Sequence, residues 1–192
     1  MNRRTTADTG VTIVKIGGRL SQVPQALDRV CAAVEAACCG HQLIVVPGGG
    51  PFADAVRSFE HRLPISPDAA HWMAILAMDQ YGHVLADRIK GARLVDEAGA
   101  AIKASGSGSV AVLAPFRWMR SADVLPHTWE VTSDSIAAFV AGALGATRLI
   151  LIKMTSQGQP VDGYFQRALP VGLPYLILGW ERVEELSDRL SE

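Results

Sequence analysis

Leu43-Ile44-Val45-Val46-Pro47-Gly48-Gly49-Gly50-Pro51-Phe52-Ala53-Asp54 is the stretch whose reading decides the fold. Its four leading apolar residues suit a short buried strand, because a central parallel strand is covered on both faces. Three glycines follow, and Pro51 stands where the first turn of a helix tolerates proline. Glycines at a strand-to-helix junction let backbone N–H groups approach an anion, with the positive end of a helix behind them. A tight turn needing positive φ is the plainer reading, but one glycine would serve it. The run therefore favours a phosphate or carboxylate cradle.

Working outward, a similar unit precedes it. Val11 to Ile16 reads as a first strand, ended by Gly17-Gly18, with Lys15 near its carboxyl end. An ionised lysine there must meet solvent, by snorkelling, or a negative partner. Ligands of parallel sheets bind at the carboxyl ends of the strands, and the adjacent glycines favour a ligand. Pro24 to Cys38 is an amphipathic helix with Leu27, Val30, Cys31, Val34 and Cys38 on one stripe, stopped by Gly40. Pro51 to Arg62 is the next helix, with Phe52, Ala55, Val56 and Phe59 as its apolar face. Two strand–glycine–helix units in parallel place both glycine loops on one edge of the sheet.

Pro67 to about Lys90 reads as a long apolar helix. Trp72, Leu76, Asp79 and His83 fall on one line of it; Ile75, Met78, Leu85 and Ile89 fall on another. Asp79 and His83, four apart, either pair on a partly exposed face or line a substrate pocket. Leu94 to Ala104 reads as a helix and Val110 to Ala114 as a strand. Gly106 and Gly108 precede that strand, whereas a dinucleotide fingerprint must follow one, so this is not such a site. Pro115 to His127 reads as irregular, its Arg117-Trp118-Met119-Arg120 being either an anion site or ordinary surface. Thr132 or Ser133 is placed to cap the next helix, with Asp134 in its first turn beside the positive dipole end. Ile136, Phe139, Val140, Ala143 and Leu144 form its inward stripe, and Gly145 ends it. Arg148 to Ile152 is a buried strand with Lys153 at its carboxyl end, as Lys15 is on the first. Met154 to Leu173 reads as loop, Pro174 to Leu178 as a last strand and Trp180 to Leu190 as a closing helix.

Composition narrows the function class. At 192 residues the chain suits one domain with a substantial core. A net charge of −1, with no basic block beyond Arg3-Arg4, argues against nucleic acid or a membrane surface as partner. Residues 1–10 read as a disordered polar tail without the apolar core of a signal peptide. No stretch approaches the roughly 20 apolar residues that span a bilayer. Cys31, Cys38 and Cys39 all fall in one predicted helix, an odd number without histidines at ligand spacing, which suits reduced core thiols in a cytoplasmic protein without a metal site.

Two lysines, two glycine loops and one helix-start aspartate thus gather at the strand ends. Phosphoryl transfer needs little covalent help from a protein; it needs bound phosphates held in line and their charge neutralised. Lys15 and Lys153 can neutralise that charge, loop amides can bind the oxygens, and Asp134 can hold both lysines.

Val14-Lys15-Ile16-Gly17-Gly18, Val46-Pro47-Gly48-Gly49-Gly50 and Thr132-Ser133-Asp134-Ser135-Ile136-Ala137-Ala138 resemble the three motifs of the amino-acid-kinase superfamily. The glycine-loop stretch, Met78-Asp79 and Trp129-Glu130-Val131-Thr132-Ser133-Asp134-Ser135 are similar to one branch of it. Archaeal members of that branch phosphorylate an aminomethylfuran-methyl phosphate in methanofuran biosynthesis, and methylotrophic bacteria have homologues. The resemblance implies an α/β fold, a three-layer αβα sandwich with a mainly parallel sheet, as one domain over residues 11–192. It implies that Lys15 and Lys153 stabilise the transferred group and that Asp134 orients them. Gly17, Gly18, Gly48, Gly49 and Gly50, with Asp79 and Ser133, would bind phosphate and acceptor. ATP, with the Mg²⁺ it brings, would be the cofactor.

One departure stands out. In the family the strand before the nucleotide loop runs on into Thr-Asp-Val-Asp-Gly-Ile-Tyr and a long adenine-covering segment. Here Leu151-Ile152-Lys153-Met154-Thr155 ends the strand, and 39 residues follow Lys153. Val161-Asp162-Gly163-Tyr164 echoes that motif further on, and equally a Val-Asp-x-x-Phe element of the furan-kinase branch. Two functions follow: an ATP-dependent phosphotransferase on a small phosphorylated or carboxylated metabolite, or a catalytically inactive kinase-fold protein that binds a metabolite or partner subunit. The apolar helix 67–90 adds the expectation of a homo-oligomer.

Overall fold

The computed structural model describes residues 10–155, 157 and 161–191. Of the tail read over residues 1–10, all but Gly10 lies outside the described residues.

Six strands form one sheet: β1 (Val11–Ile16), β2 (Gln42–Pro47), β3 (Arg93–Val95), β4 (Ala111–Leu113), β5 (Arg148–Lys153) and β6 (Tyr175–Gly179). Their order is β3-β4-β2-β1-β5-β6 and every pairing is parallel, so all the carboxyl ends lie along one edge. The near-continuous apolar runs of β1, β2 and β5 are explained by helices on both faces. On one face pack α4 (Ala98–Gly106), α5 (Phe116–Ala122), α6 (Ser133–Ala143) and α7 (Phe165–Ala168). On the other pack α1 (Pro24–Ala37) and α8 (Leu186–Ser191).

Strand parity decides where the lysines go. Ile13 on β1 and Leu149 and Leu151 on β5 face the α6 side, while Val14, Ile16, Ile150 and Ile152 face α1. Side chains alternate along a strand, so Lys15 and Lys153 both emerge on the α6 side. A one-residue slip would exchange every core residue for its opposite, at about 1.5–3 kcal/mol for each large side chain.

Helix α3 (Pro67–Arg88) follows α2 (Gly50–Arg62) and changes face along its length. Trp72, Ile75 and Met78 belong to the α6-side core, Tyr81 and Leu85 to the α1-side core. It passes close to the ends of β2 and β4 at Gly82, where a Cβ would stand 3.3 Å from Leu113 O and 3.5 Å from Pro47 Cγ. Its two apolar lines in sequence are thus two successive core contacts. Among the described residues no helix is long and apolar enough to cross a membrane.

Several sequence expectations are corrected. Leu94 and Val95 belong to edge strand β3, and the helix expected from Leu94 starts at Ala98. Three residues are too few to show a period of two. The stretch read as irregular after Pro115 contains α5, whose last turn ends in a left-handed Asp123. The closing helix is a 3-10 segment, Trp180–Glu185, followed by α8. On α2 the buried residues are Ala53 and Val56, while Ala55 is exposed and Phe59 is 40% exposed. The helix instead presents Ala53, Arg57 and Glu60 to a cavity. On α6 it is Ala141 rather than Ala143 that is buried. Cys39 lies beyond the end of α1 and is exposed; all three thiols are free. Burial pushes the Cys31 thiol up to about 11, so it behaves as a small apolar core residue.

Candidate active site

A cavity of about 730 Å³ opens at the carboxyl ends of β1 and β5. Its floor is made by Lys15, Lys153 and Asp134, all buried. Asp134 stands between the lysines: Lys153 Nζ donates to its Oδ2 at 2.6 Å, and Lys15 Nζ lies 2.8 Å from its Oδ1. The Lys15 contact is an ion pair outside hydrogen-bond geometry, so Oδ1 has no hydrogen-bond partner. Burial pushes the Asp134 carboxyl up, but the two ammonium groups outweigh it and hold the carboxyl below its ordinary value. Two cations against one anion leave a surplus positive charge at the cavity floor.

The start of α6 is built differently from the expected cap. Thr132 occupies the cap position, yet neither its hydroxyl nor that of Ser133 caps the helix. The cap is Asp162, from the segment after β5. Its Oδ2 accepts the N–H of Thr132 at 2.8 Å, the Thr132 hydroxyl at 2.7 Å and the N–H of Ser135 at 3.0 Å, while its Oδ1 accepts the Ser135 hydroxyl. Val161-Asp162-Gly163-Tyr164 therefore secures the turn that carries Asp134.

The glycine loops interlock. The N–H of Gly17 donates to Ile152 O and that of Gly48 to Ile16 O, both at 2.8 Å, continuing the sheet past the strand ends. A Cβ at Gly18 would stand 2.0 Å from Gly50 N, and one at Gly48 would stand 2.5 Å from Gly18 N. Gly50 has φ +54 where it opens α2. The run thus serves both a turn and a close approach of two loops. Gly17, Gly18, Gly49 and Gly50 line the cavity, and Ser133 does too; Gly48 is not on its wall and packs against Gly18.

Asp79 is also off that wall. Its Oδ1 accepts the N–H of Phe116 at 3.0 Å and so holds the first turn of α5, and among the described residues no hydrogen bond joins it to the exposed His83. Burial raises its carboxyl, against the opposing effects of that N–H and of His83. Arg117 pairs with Asp96 and Glu97 on the surface, and Arg120 lies 4.5 Å over the Trp72 ring, so this cluster stands apart from the cavity.

The far end of the cavity holds residues that sequence reasoning passed over. The Arg57 guanidinium lies 4.3 Å over the Trp129 ring, whose Nε1 donates to Glu60 at 2.6 Å. His71 stacks on His127 with centroids 4.2 Å apart, and Trp72 meets both rings edge-on. His127 lies between two carboxylates, Nδ1 at 2.7 Å from Asp68 and Nε2 at 2.8 Å from Asp123. Burial first, and then His127, push the His71 imidazole down to about 4. A lone histidine on an apolar helix gives no signal in sequence that separates it from a core residue. Among the described residues no cluster of His, Cys, Asp and Glu is arranged to hold a metal ion.

Comparison with known proteins agrees with this architecture. The family model for the amino acid kinase family matches residues 10–156. A [5-(aminomethyl)furan-3-yl]methyl phosphate kinase from Methanocaldococcus jannaschii is 30% identical over 155 residues, spanning 81% of this chain and 68% of that one. Among solved structures, the uridylate kinase of Archaeoglobus fulgidus superposes with a TM-score of 0.68 at 16% identity, covering 95% of each chain. The UMP kinase of Ureaplasma parvum gives 0.68 at 16% identity over 96% of each. At that identity the likeness is one of fold.

Proposed function

This chain belongs to the amino acid kinase family, and on that premise we propose that it transfers a phosphoryl group from ATP to a small phosphorylated acceptor of the furan-methyl phosphate class. The observation that carries the proposal is the Lys15–Asp134–Lys153 cluster at the base of a glycine-lined cavity. Its surplus positive charge, beside helix amides that have no partner within α2, suits an anion that gathers charge as it moves between two others. The furan-methyl phosphate class is suggested by the name of the Methanocaldococcus relative.

The residues present fit a nucleotide's phosphates: two ammonium groups, and amides of Gly49 and Gly50 where a side chain could not fit. Mg-ATP, when bound, supplies the transferable group. The chain's own residues do the rest. Lys15 and Lys153 neutralise negative charge on opposite sides of Asp134, which keeps both ammonium groups in place. No side chain needs to act as a base, because a phosphate acceptor is largely ionised at neutral pH, its second pKa being about 6. A carboxylate acceptor would share that property. We also read the protein as a cytoplasmic homo-oligomer, which free thiols and the exposed Phe59 of α2, Leu63 just after it and Leu76 of α3 support.

Calorimetric titration with Mg-ATP and with a non-hydrolysable analogue, on wild type and Asp134→Asn, tests the central claim. Binding to wild type that is weakened by the substitution is expected. An absence of nucleotide binding at millimolar concentration defeats it and leaves a kinase-fold binding protein as the reading.

A further inference from the structure

The lysine end of the cavity accounts for an anion but not for the histidine at the other end. His71 is 8% exposed, and its ring packs against two others, His127 at 4.2 Å and Trp72 at 4.8 Å between centroids. It makes no hydrogen bond among the described residues, yet it stands on the cavity wall with Ala74, Ile75 and Met78 of the same helix. Its ring nitrogens keep access to the cavity rather than being sealed in the core, so a molecule in the cavity can reach them.

The surroundings say what would complete it. His127 sits with each ring nitrogen against a carboxylate, Asp68 on one side and Asp123 on the other. Burial first, and then the neighbouring His127, hold the His71 imidazole down at about 4, so at neutral pH it is uncharged and one ring nitrogen offers a lone pair. Asp68 and Asp123, with Asp54 and Glu60, outnumber the guanidinium groups of Arg57 and Arg120 at this end, which leaves it negative. Arg120 lies over Trp72 and Arg57 over Trp129, and Arg57 is paired with Asp54. The cavity is therefore positive at the lysines and negative behind His71, with apolar wall between. A dipolar molecule matches that pattern.

We propose that His71 recognises the acceptor, its imidazole nitrogen accepting a hydrogen bond from a protonated primary amine carried at the end of the molecule remote from its phosphate. The proposal rests on the phosphotransferase reading above and adds the group that selects the substrate. A hydroxyl could donate to the same nitrogen, but it would leave the negative surplus unmatched.

Three probes separate these possibilities: [5-(aminomethyl)furan-3-yl]methyl phosphate, the corresponding hydroxymethyl compound, and furan-3-ylmethyl phosphate without either arm. Calorimetry on wild type should show the amine bound at least about tenfold more tightly than both others. In His71→Phe, which keeps the aromatic stack, that ratio should fall to about one. His71→Gln, which keeps an acceptor oxygen, should restore part of it and serves in place of the Phe variant if that one fails to fold. Equal binding of the three by wild type, tight binding of the hydroxymethyl compound, or an unchanged ratio in His71→Phe overturns the proposal. So does the absence of binding by all three probes. Mg-ATP titrated into the same sample then tells which reading failed: nucleotide binding retained means that the acceptor assignment alone is wrong.

Discussion

Asp162 Oδ2 accepts the backbone N–H of Thr132 at 2.8 Å from 30 residues further along the chain, and so caps a helix that has no cap of its own. The same carboxylate holds Ser135, the residue after Asp134. Asp162→Ala leaves several buried donors unsatisfied at once. A loss of about 2–3 kcal/mol is expected, read as a lower urea midpoint. Asp162→Asn, which keeps one acceptor oxygen, should lose less; equal losses would mean that the carboxylate acts by something other than capping.

Lys15→Ala removes one of the two ammonium groups at the cavity floor while leaving Asp134 paired with Lys153. Phosphoryl transfer should drop to about one hundredth of wild type or less, as for other groups that stabilise transition-state charge. The melting temperature should stay within a few degrees. An initial-rate assay that finds about a tenth of the activity or more would remove Lys15 from the mechanism.

The interlocked loops make a sharp contrast among glycines. Gly18→Ala pushes a Cβ to 2.0 Å from Gly50 N, so the loops must part, at a cost of about 2 kcal/mol and with weakened nucleotide binding. Gly99 lies inside α4 with nothing within 4 Å of a built Cβ. Gly99→Ala should therefore stabilise the protein by about 0.5–1 kcal/mol and leave binding unchanged. Thermal melting and calorimetry on the two variants compare them directly.

Acid should weaken the fold in two steps with the same sign. The His71 imidazole is held at about 4 against an ordinary 6.5, so between those values the unfolded chain binds more protons and stability falls as pH falls. The full effect is about 3 kcal/mol, present above 6.5 and gone below 4. Asp134 adds a second loss at lower pH, as its depressed carboxyl finally takes a proton and releases both lysines. Denaturant unfolding across this range should show the first step in wild type and not in His71→Phe. The same step in the variant would place its origin elsewhere.

Much of this was legible in the residues. Leu43 to Pro51 announces a buried strand and a glycine turn because burial and backbone freedom are local demands, visible in composition. Lys15 and Lys153 stand out because charge at the end of an apolar strand must be answered by a partner. Asp162 was not legible as a cap, since it satisfies donors 27–30 residues away and no spacing encodes that. His71 was hidden for the opposite reason: what singles it out is a ring stack on His127, far along the chain, and the cavity that it faces. Edge strand β3 and helix α5 are too short for periodicity to declare them, and α2 keeps Val56 buried but turns Ala53, Arg57 and Glu60 to the cavity, so only part of its expected apolar face is covered.

The sheet order has a consequence for a chain that is still being made. Lys15 lies on β1 and Lys153 on β5, and these strands pair as immediate neighbours, Thr12 against Arg148, although nearly the whole protein separates them. Until β5 arrives, Lys15 sits in a strand paired with β2 on one side only, and its counter-ion has no second cation to share. A nascent or truncated chain that stops before Arg148 can therefore form the first glycine loops but not the charged floor beneath them. If the cluster binds phosphate as proposed, that capacity is completed late in synthesis, by the docking of a single strand.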